Sequence, residues 1–164
     1  MSFQTTPALE RAVGDVLARY SDAPRSALLP VLQAVQAHAG FVSDEAAVWV
    51  AGRLKLDPVA VLEVLSFYPG LWRHPVGRHI IRVCRTLSCD MAGGGRPLRR
   101  HILKRLGLEE PPDGRAVTTP DGRITVEFAE CLASCSTGPN LMIDEELHEG
   151  VTPEKADELI GKLA

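Results

Sequence analysis

The chain carries four cysteines, all in its second half, and they come as two pairs. Four residues separate Cys84 from Cys89, and three separate Cys131 from Cys135. Thiolates are soft metal ligands, and four of them converging from two loops suit a two-iron, two-sulfide cluster. A zinc ion held by four cysteines also accepts about two to four intervening residues, so the spacing alone leaves both metals open.

Other roles of paired cysteines fit the sequence less well. A thioredoxin-type dithiol needs the Cys-X-X-Cys spacing, and neither pair has it. The first residues lack the basic and apolar regions of a secretory signal, and the apolar runs are too short to cross a membrane. We therefore expect a cytoplasmic protein with no direct membrane insertion, in which reduced thiols favour a metal over a disulfide.

Each pair is predicted to follow a strand. The β-branched run 79–83 predicts a strand that leads into Cys84. The segment Thr-Pro-Asp-Gly at 119–122 predicts a turn, which makes a hairpin with 124–128 as its second strand. That strand ends shortly before Cys131. Because a rigid sheet can hold two loops at a common point, we expect the pairs to converge.

The rest of the second half shows mixed periodicity. A helix is predicted over 97–106, a second hairpin joins 141–143 to 147–149, and Thr152 caps a last helix. The predicted order is β-α-β-β-β-α, or near it. The glycine run 93–95 is expected to turn backbone N–H groups towards the cysteine sulfurs.

The first half has helical periodicity instead. Helices are predicted over 9–20, 25–39, 43–54 and 57–68, and a linker follows over 71–76. The fold class is therefore α/β (α+β), with a helical bundle at the N-terminus. We place the domains at 1–72 and 76–164.

Charge is spread unevenly along the chain. The net charge of −3 argues against nucleic-acid binding. Residues 73–105 hold nine Lys and Arg against Asp90 alone, whereas 109–154 is acidic. These segments are either two solvated faces of opposite sign or docking surfaces for protein partners.

Three motifs carry a family resemblance. Val-Cys-Arg-Thr-Leu-Ser-Cys at 83–89, the turn at 119–122 and Glu-Cys-Leu-Ala-Ser-Cys at 130–135 resemble the thioredoxin-like [2Fe–2S] subunit of the NADH-dehydrogenase module of respiratory complex I. In bacteria this is the E subunit of NADH-quinone oxidoreductase. Gamma subunits of NAD-dependent formate dehydrogenase and small subunits of NAD-linked hydrogenases belong to the same family. The likeness spans nearly the whole chain.

The resemblance implies a site, a fold and partners. It implies that Cys84, Cys89, Cys131 and Cys135 hold one [2Fe–2S] cluster, and that a thioredoxin-like domain follows the helical one. It also implies a flavoprotein partner carrying FMN and the NADH site, together with further iron–sulfur subunits. The chain itself shows no dinucleotide-binding fingerprint, so we expect a non-catalytic redox subunit.

Alternatives and departures remain at this point. The complex could be a formate dehydrogenase or a hydrogenase, and the protein could be a zinc-stabilised adaptor without a redox role. The family usually has glycine where this chain has Ala133, which reduces the freedom of the backbone there. Gly138 stands where the family commonly has alanine.

Overall fold

The structure is a computed structural model that describes residues 3–163. The chain divides into two compact units, with the boundary between Pro75 and Val76. Across the described residues, no helix combines the length and the apolar character that a membrane crossing requires.

The first unit is helical. Its helices are α1 (Pro7–Arg19), α2 (Leu28–Ala39), α3 (Asp44–Leu54) and α4 (Pro58–Phe67). The side chains of Thr6, Ser43 and Asp57 accept hydrogen bonds from the first turns of α1, α3 and α4. Gly40 ends α2 at φ 82°, in the left-handed region that glycine adopts without strain.

Pro30 lies inside the predicted helix 25–39 and indicates that its regular part begins near Leu29, which agrees with the start of α2. Residues Pro24–Ala27 form a 3-10 turn, and the α-helix begins only at Leu28. Pro30 then lies in the first turn of α2, where its missing N–H leaves no hydrogen bond unmade. Valine, leucine and alanine side chains from all four helices form the buried core of this unit.

The second unit is built on one mixed sheet. Its strands are β1 (His79–Cys84), β2 (Val117–Thr118), β3 (Ile124–Ala129), β4 (Leu141–Ile143) and β5 (Glu146–His148). Its helices are α5 (Leu87–Met91), α6 (Arg96–Arg105) and α7 (Pro153–Gly161). The strand order is β2-β3-β1-β4-β5, so β1 lies in the centre.

The central strand is paired on both sides. It runs parallel to β3, with Cys84 opposite Ala129, and antiparallel to β4. Ile81 and Val83 of β1 are fully buried in a core that includes Ile102 of α6. The part of the sheet that leads to the cysteines is therefore its most buried part.

The α/β class with helices preceding the sheet is confirmed, but the predicted element order needs correction. The described part of the second unit has the order β-α-α-β-β-β-β-α. Its five strands all overlap predicted strand segments, of which the order β-α-β-β-β-α counted only four, and one helix was not predicted. The added helix, α5, has five residues and no side-chain cap. A helix this short leaves too little periodicity in the sequence to be recognised.

Candidate metal centre

The parallel pairing of β1 and β3 brings the two cysteine loops to one edge of the sheet. Parallel strands have their carboxyl ends at the same edge. Cys84 is the last residue of β1, and Cys131 follows two residues after the end of β3. The N–H of Arg85 donates to the carbonyl of Ala129 at 3.0 Å, so the pairing continues into the loops.

The first pair is buried. Helix α5 turns the chain back, so that the thiols of Cys84 and Cys89 lie close enough to shift each other's pKa. Their residues are only 2 % and 1 % exposed. The hydroxyl of Thr86 lies 3.2 Å from Cys84 Sγ. Two neighbouring thiols are thus enclosed at the carboxyl end of β1.

The second pair lies on an exposed loop that packs against the first. Cys131 and Cys135 are both exposed. The carbonyl of Glu130 is 3.8 Å from Cys84 Sγ. A Cβ added at Gly138 would stand 3.4 Å from Cys89 Sγ, so this loop passes close to the buried thiol.

A backbone N–H reaches one of the sulfurs, because the N–H of Ala133 donates to Cys131 Sγ at 3.3 Å. The N–H groups of Gly93 and Gly94 donate instead to the carbonyls of Asp90 and Cys89, at 3.1 Å and 2.9 Å. The expectation that the glycine run turns its N–H groups towards sulfur is therefore wrong for these two residues.

Gly94 has a different role, which is close packing. A Cβ at this position would overlap Pro139 and would lie 2.9 Å from the carbonyl oxygen of Cys89. The absence of a side chain therefore lets α5 lie against the loop of the second pair.

The two buried thiols have opposite pKa shifts. Burial raises the pKa of Cys84, but hydrogen bonds from Thr86, Cys89 and Leu132 outweigh it and lower the pKa below the ordinary value. Burial raises the pKa of Cys89, and the neighbouring Cys84 and Cys135 raise it further. Without a metal, the two neighbouring thiols therefore titrate as a pair, which loses its first proton more readily than an ordinary thiol and its second less readily.

An ion pair joins the two loops at their starts. Arg85 follows Cys84 directly, Glu130 precedes Cys131 directly, and the two side chains form a salt bridge. The hydrogen bond from Arg85 lowers the pKa of Glu130 below its ordinary value. Both side chains are largely exposed, so the pair fixes the relative position of the loops more than it adds stability.

Asn140, which sequence reasoning did not identify, touches both loops. This residue is 1 % exposed. Its carbonyl accepts the N–H of Cys84 at 3.1 Å, and its amide nitrogen donates to the carbonyl of Ser134. Its Oδ1 is buried and has no partner among the described residues. The one feature of the sequence that could have indicated this role is the position of a polar residue directly before the predicted strand 141–143.

Glu149 was also not identified, and it supports the second loop from outside. Its carboxylate accepts a hydrogen bond from Ser134 and lies 2.6 Å from Thr137 Oγ1. These hydroxyls lower the pKa of Glu149. The hydroxyl residues near the cysteines therefore have two different roles. Thr86 contacts a cysteine sulfur, whereas Ser134 and Thr137 hydrogen-bond to the carboxylate of Glu149.

The structure brings four soft donors to one region of the second unit. Cys84 and Cys89 lie in the interior, and the loop that carries Cys131 and Cys135 packs against them. Across residues 3–163, no three His, Cys, Asp or Glu side chains are grouped so that they could hold one metal ion. Four thiolates that come as two pairs are the donor set of a [2Fe–2S] cluster, and zinc accepts the same four donors.

Ala133 gives a test of the loop geometry. Its φ is 60°, in the left-handed region that costs a residue with a Cβ about 1–2 kcal/mol. We expect Ala133→Gly to stabilise the metal-free protein by about 0.5–1 kcal/mol in urea unfolding, after the entropy cost of glycine. Ala92→Gly is the matched control, because Ala92 has φ −80° and should only lose stability. An Ala133→Gly protein less stable than the parent would contradict this account.

A family model matches most of the chain. The model describes thioredoxin-like [2Fe-2S] ferredoxins, and it matches residues 13–164. The match therefore includes both cysteine pairs and most of the helical unit.

Several relatives share nearly the whole length of the chain. The E subunit of NADH-quinone oxidoreductase from Escherichia coli strain K12 is 35 % identical over 159 residues, which are 97 % of this chain and 92 % of the relative. The corresponding E subunit of Pseudomonas aeruginosa is 38 % identical over 141 residues, covering 86 % of this chain and 81 % of the relative.

Solved structures agree on the fold. An NAD+-reducing [NiFe]-hydrogenase in the H2-reduced state aligns with a TM-score of 0.66 and 21 % identity over 83 % of this chain. The air-oxidised form gives a TM-score of 0.61 and 20 % identity over 97 % of the chain. The chain spans 22 % and 24 % of those hydrogenase chains, so the likeness concerns one part of a larger protein.

Proposed function

Because the chain belongs to the thioredoxin-like [2Fe-2S] ferredoxin family, we propose that Cys84, Cys89, Cys131 and Cys135 hold one [2Fe–2S] cluster. We propose further that the protein is the electron-transfer subunit of an NADH-quinone oxidoreductase, equivalent to the E subunit of the bacterial relatives. The observation that carries this is the convergence of two cysteine pairs at one sheet edge, where β1 and β3 run parallel.

The residues around the sulfurs suit this role. A bound [2Fe–2S] cluster supplies one-electron transfer. The N–H of Ala133 donates to Cys131 Sγ, and the backbone at Leu132 lowers the pKa of Cys84, so both favour the thiolate form. Cys84 and Cys89 lie in the protein interior, which excludes water on their side. The exposed side, with Cys131 and Cys135, is where a redox partner can approach.

The flavin chemistry belongs to a partner in this proposal. The sequence has no dinucleotide-binding fingerprint, so we assign FMN and NADH to a flavoprotein subunit and give this chain no catalytic role. Further iron–sulfur subunits complete the complex. We propose that docking requires residues 1–72, and that residues 76–164 hold the cluster without them.

Two alternatives have less support. The structural neighbours are NAD+-reducing hydrogenases, but 20–21 % identity speaks for the fold alone. The identity of 35–38 % to the bacterial E subunits favours the quinone oxidoreductase over a formate dehydrogenase or a hydrogenase. A zinc-stabilised adaptor has less support because the family model that matches residues 13–164 describes [2Fe-2S] ferredoxins.

Purification from the native host tests the proposal. We expect anaerobically prepared protein to be red-brown, to hold about two irons and two sulfides per chain, and to give an EPR signal when reduced. An FMN-containing subunit should purify with it. A colourless protein with one zinc per chain would overturn the cluster assignment. Neighbouring genes for a molybdopterin or a nickel–iron subunit would overturn the choice of complex.

A further inference from the structure

The unit over 76–164 contains a cavity of about 270 Å³ close to the cysteine loops. Arg85, which directly follows Cys84, lines it together with Arg96 and Arg100 from the first half of α6. The opposite wall is the segment 110–114, and Phe128 of β3 also lines the space. Three arginine side chains thus border a common region beside the proposed cluster.

A buried arginine holds the opposite wall in place. Arg99 is 0 % exposed, and it donates to the carbonyl of Arg115 at 2.6 Å and to Glu110 at 3.3 Å. Its guanidinium also lies 4.6 Å from the centre of the Phe128 ring. Burying a charge is unfavourable unless it is paired, and here the pairing fixes the wall segment against α6 and β3. The cavity is therefore preformed.

The cavity has an incompletely neutralised charge. Arg85 is paired with Glu130, and Arg100 is paired with Glu110 at 3.1 Å. Arg96 is exposed, and its side chain has no ion pair or hydrogen bond among the described residues. Arg96 is therefore the lining arginine that no carboxylate of the described residues neutralises, whereas the lining carboxylate of Asp113 is paired with Arg115.

We propose that this cavity receives one aspartate or glutamate side chain of a protein partner. Pockets for larger organic ligands start at about 300 Å³, so this space suits one small group and not a nucleotide. One carboxylate neutralises the remaining charge, and a guanidinium fork binds carboxylates with matched geometry. The position of Arg85 next to Cys84 would fix the partner beside the cysteine loops.

The identity of the partner rests on the proposed function, so the probe is the FMN-binding subunit from the same host. The cluster-loaded full chain is titrated with this subunit in a calorimeter. The dissociation constant of the parent chain is compared with those of the Arg96→Glu and Arg78→Glu variants. Arg78 is the matched control, because it is exposed, its side chain has no ion pair or hydrogen bond among the described residues, and it precedes the other end of β1. We expect Arg96→Glu to weaken binding by at least about tenfold, and Arg78→Glu by less than about twofold.

Each of the following results would overturn the proposal. Equal losses for the two variants would mean general charge attraction, and unchanged affinity of Arg96→Glu would mean that the cavity is not used. Acetate or inorganic phosphate that binds in an Arg96-dependent way without affecting the subunit would mean a free-anion site. A parent chain that fails to bind the subunit would also overturn it, whereas iron analysis of the same sample reports separately on the cluster.

Discussion

Cys131→Ser should remove most of the bound iron and the reduced-state EPR signal. A serine oxygen is a harder and less readily ionised ligand than a thiolate, so iron at this position loses a strong bond. We expect iron content to fall by at least about tenfold in aerobically handled protein, because the loop of Cys131 is open to solvent and cannot retain a weakened cluster. Iron and sulfide analysis with EPR measures the effect.

Ser136→Ala is the control for this experiment. Ser136 lies in the same exposed loop, next to Cys135, and its side chain has no hydrogen bond among the described residues. The variant should keep full iron content and an unchanged spectrum. If Cys131→Ser also kept both, Cys131 would not be a ligand and the four-cysteine assignment would fail.

A chain that begins at Val76 should keep its cluster and lose its partner. Residues 76–164 form a compact unit with a hydrophobic core of their own, so ligation does not require the helices. The helical unit exposes large apolar side chains, among them Phe67 at 75 % and Val59 at 61 %. Phe67 contacts the exposed ring of Tyr68, and a contiguous apolar patch of this kind marks a site of protein contact. We expect binding to the FMN-containing partner to weaken by about a hundredfold or more, since association loses a major contact area.

A single substitution in the helical unit tests docking without removing the whole unit. Phe67 contacts Tyr68 edge to face at 5.1 Å and is largely open to solvent, so Phe67→Ser should leave the fold intact. Weaker binding by this variant would locate part of the docking surface. Equal affinity of the truncated and the full chain would contradict the assignment of docking to residues 1–72.

The sequence is informative where local chemistry decides structure. The caps at Ser43 and Asp57, the stop at Gly40 and the turn at 119–122 lie where the sequence predicts them, because each depends on neighbours within a few residues. The strands that precede the cysteine pairs are predictable for the same reason.

Long-range contacts cannot be predicted in this way. Nothing local indicates that β1 pairs in parallel with β3, about 45 residues later, and this pairing is what brings the cysteine loops together. The burial of Arg99 within a charged helix depends on Glu110 and Phe128, which come from other elements. Asn140 likewise acts through contacts with both loops.

The contrast between the buried and the exposed pair also bears on how the cluster would be delivered. A donor protein handing over a preassembled cluster needs ligands that it can reach, and among the four cysteines Cys131 and Cys135 offer them, because Cys84 and Cys89 are enclosed. With a cluster on the four cysteines, the outer pair would be the side that a donor protein, a chelator or an oxidant reaches first. The enclosed pair would be shielded from all three.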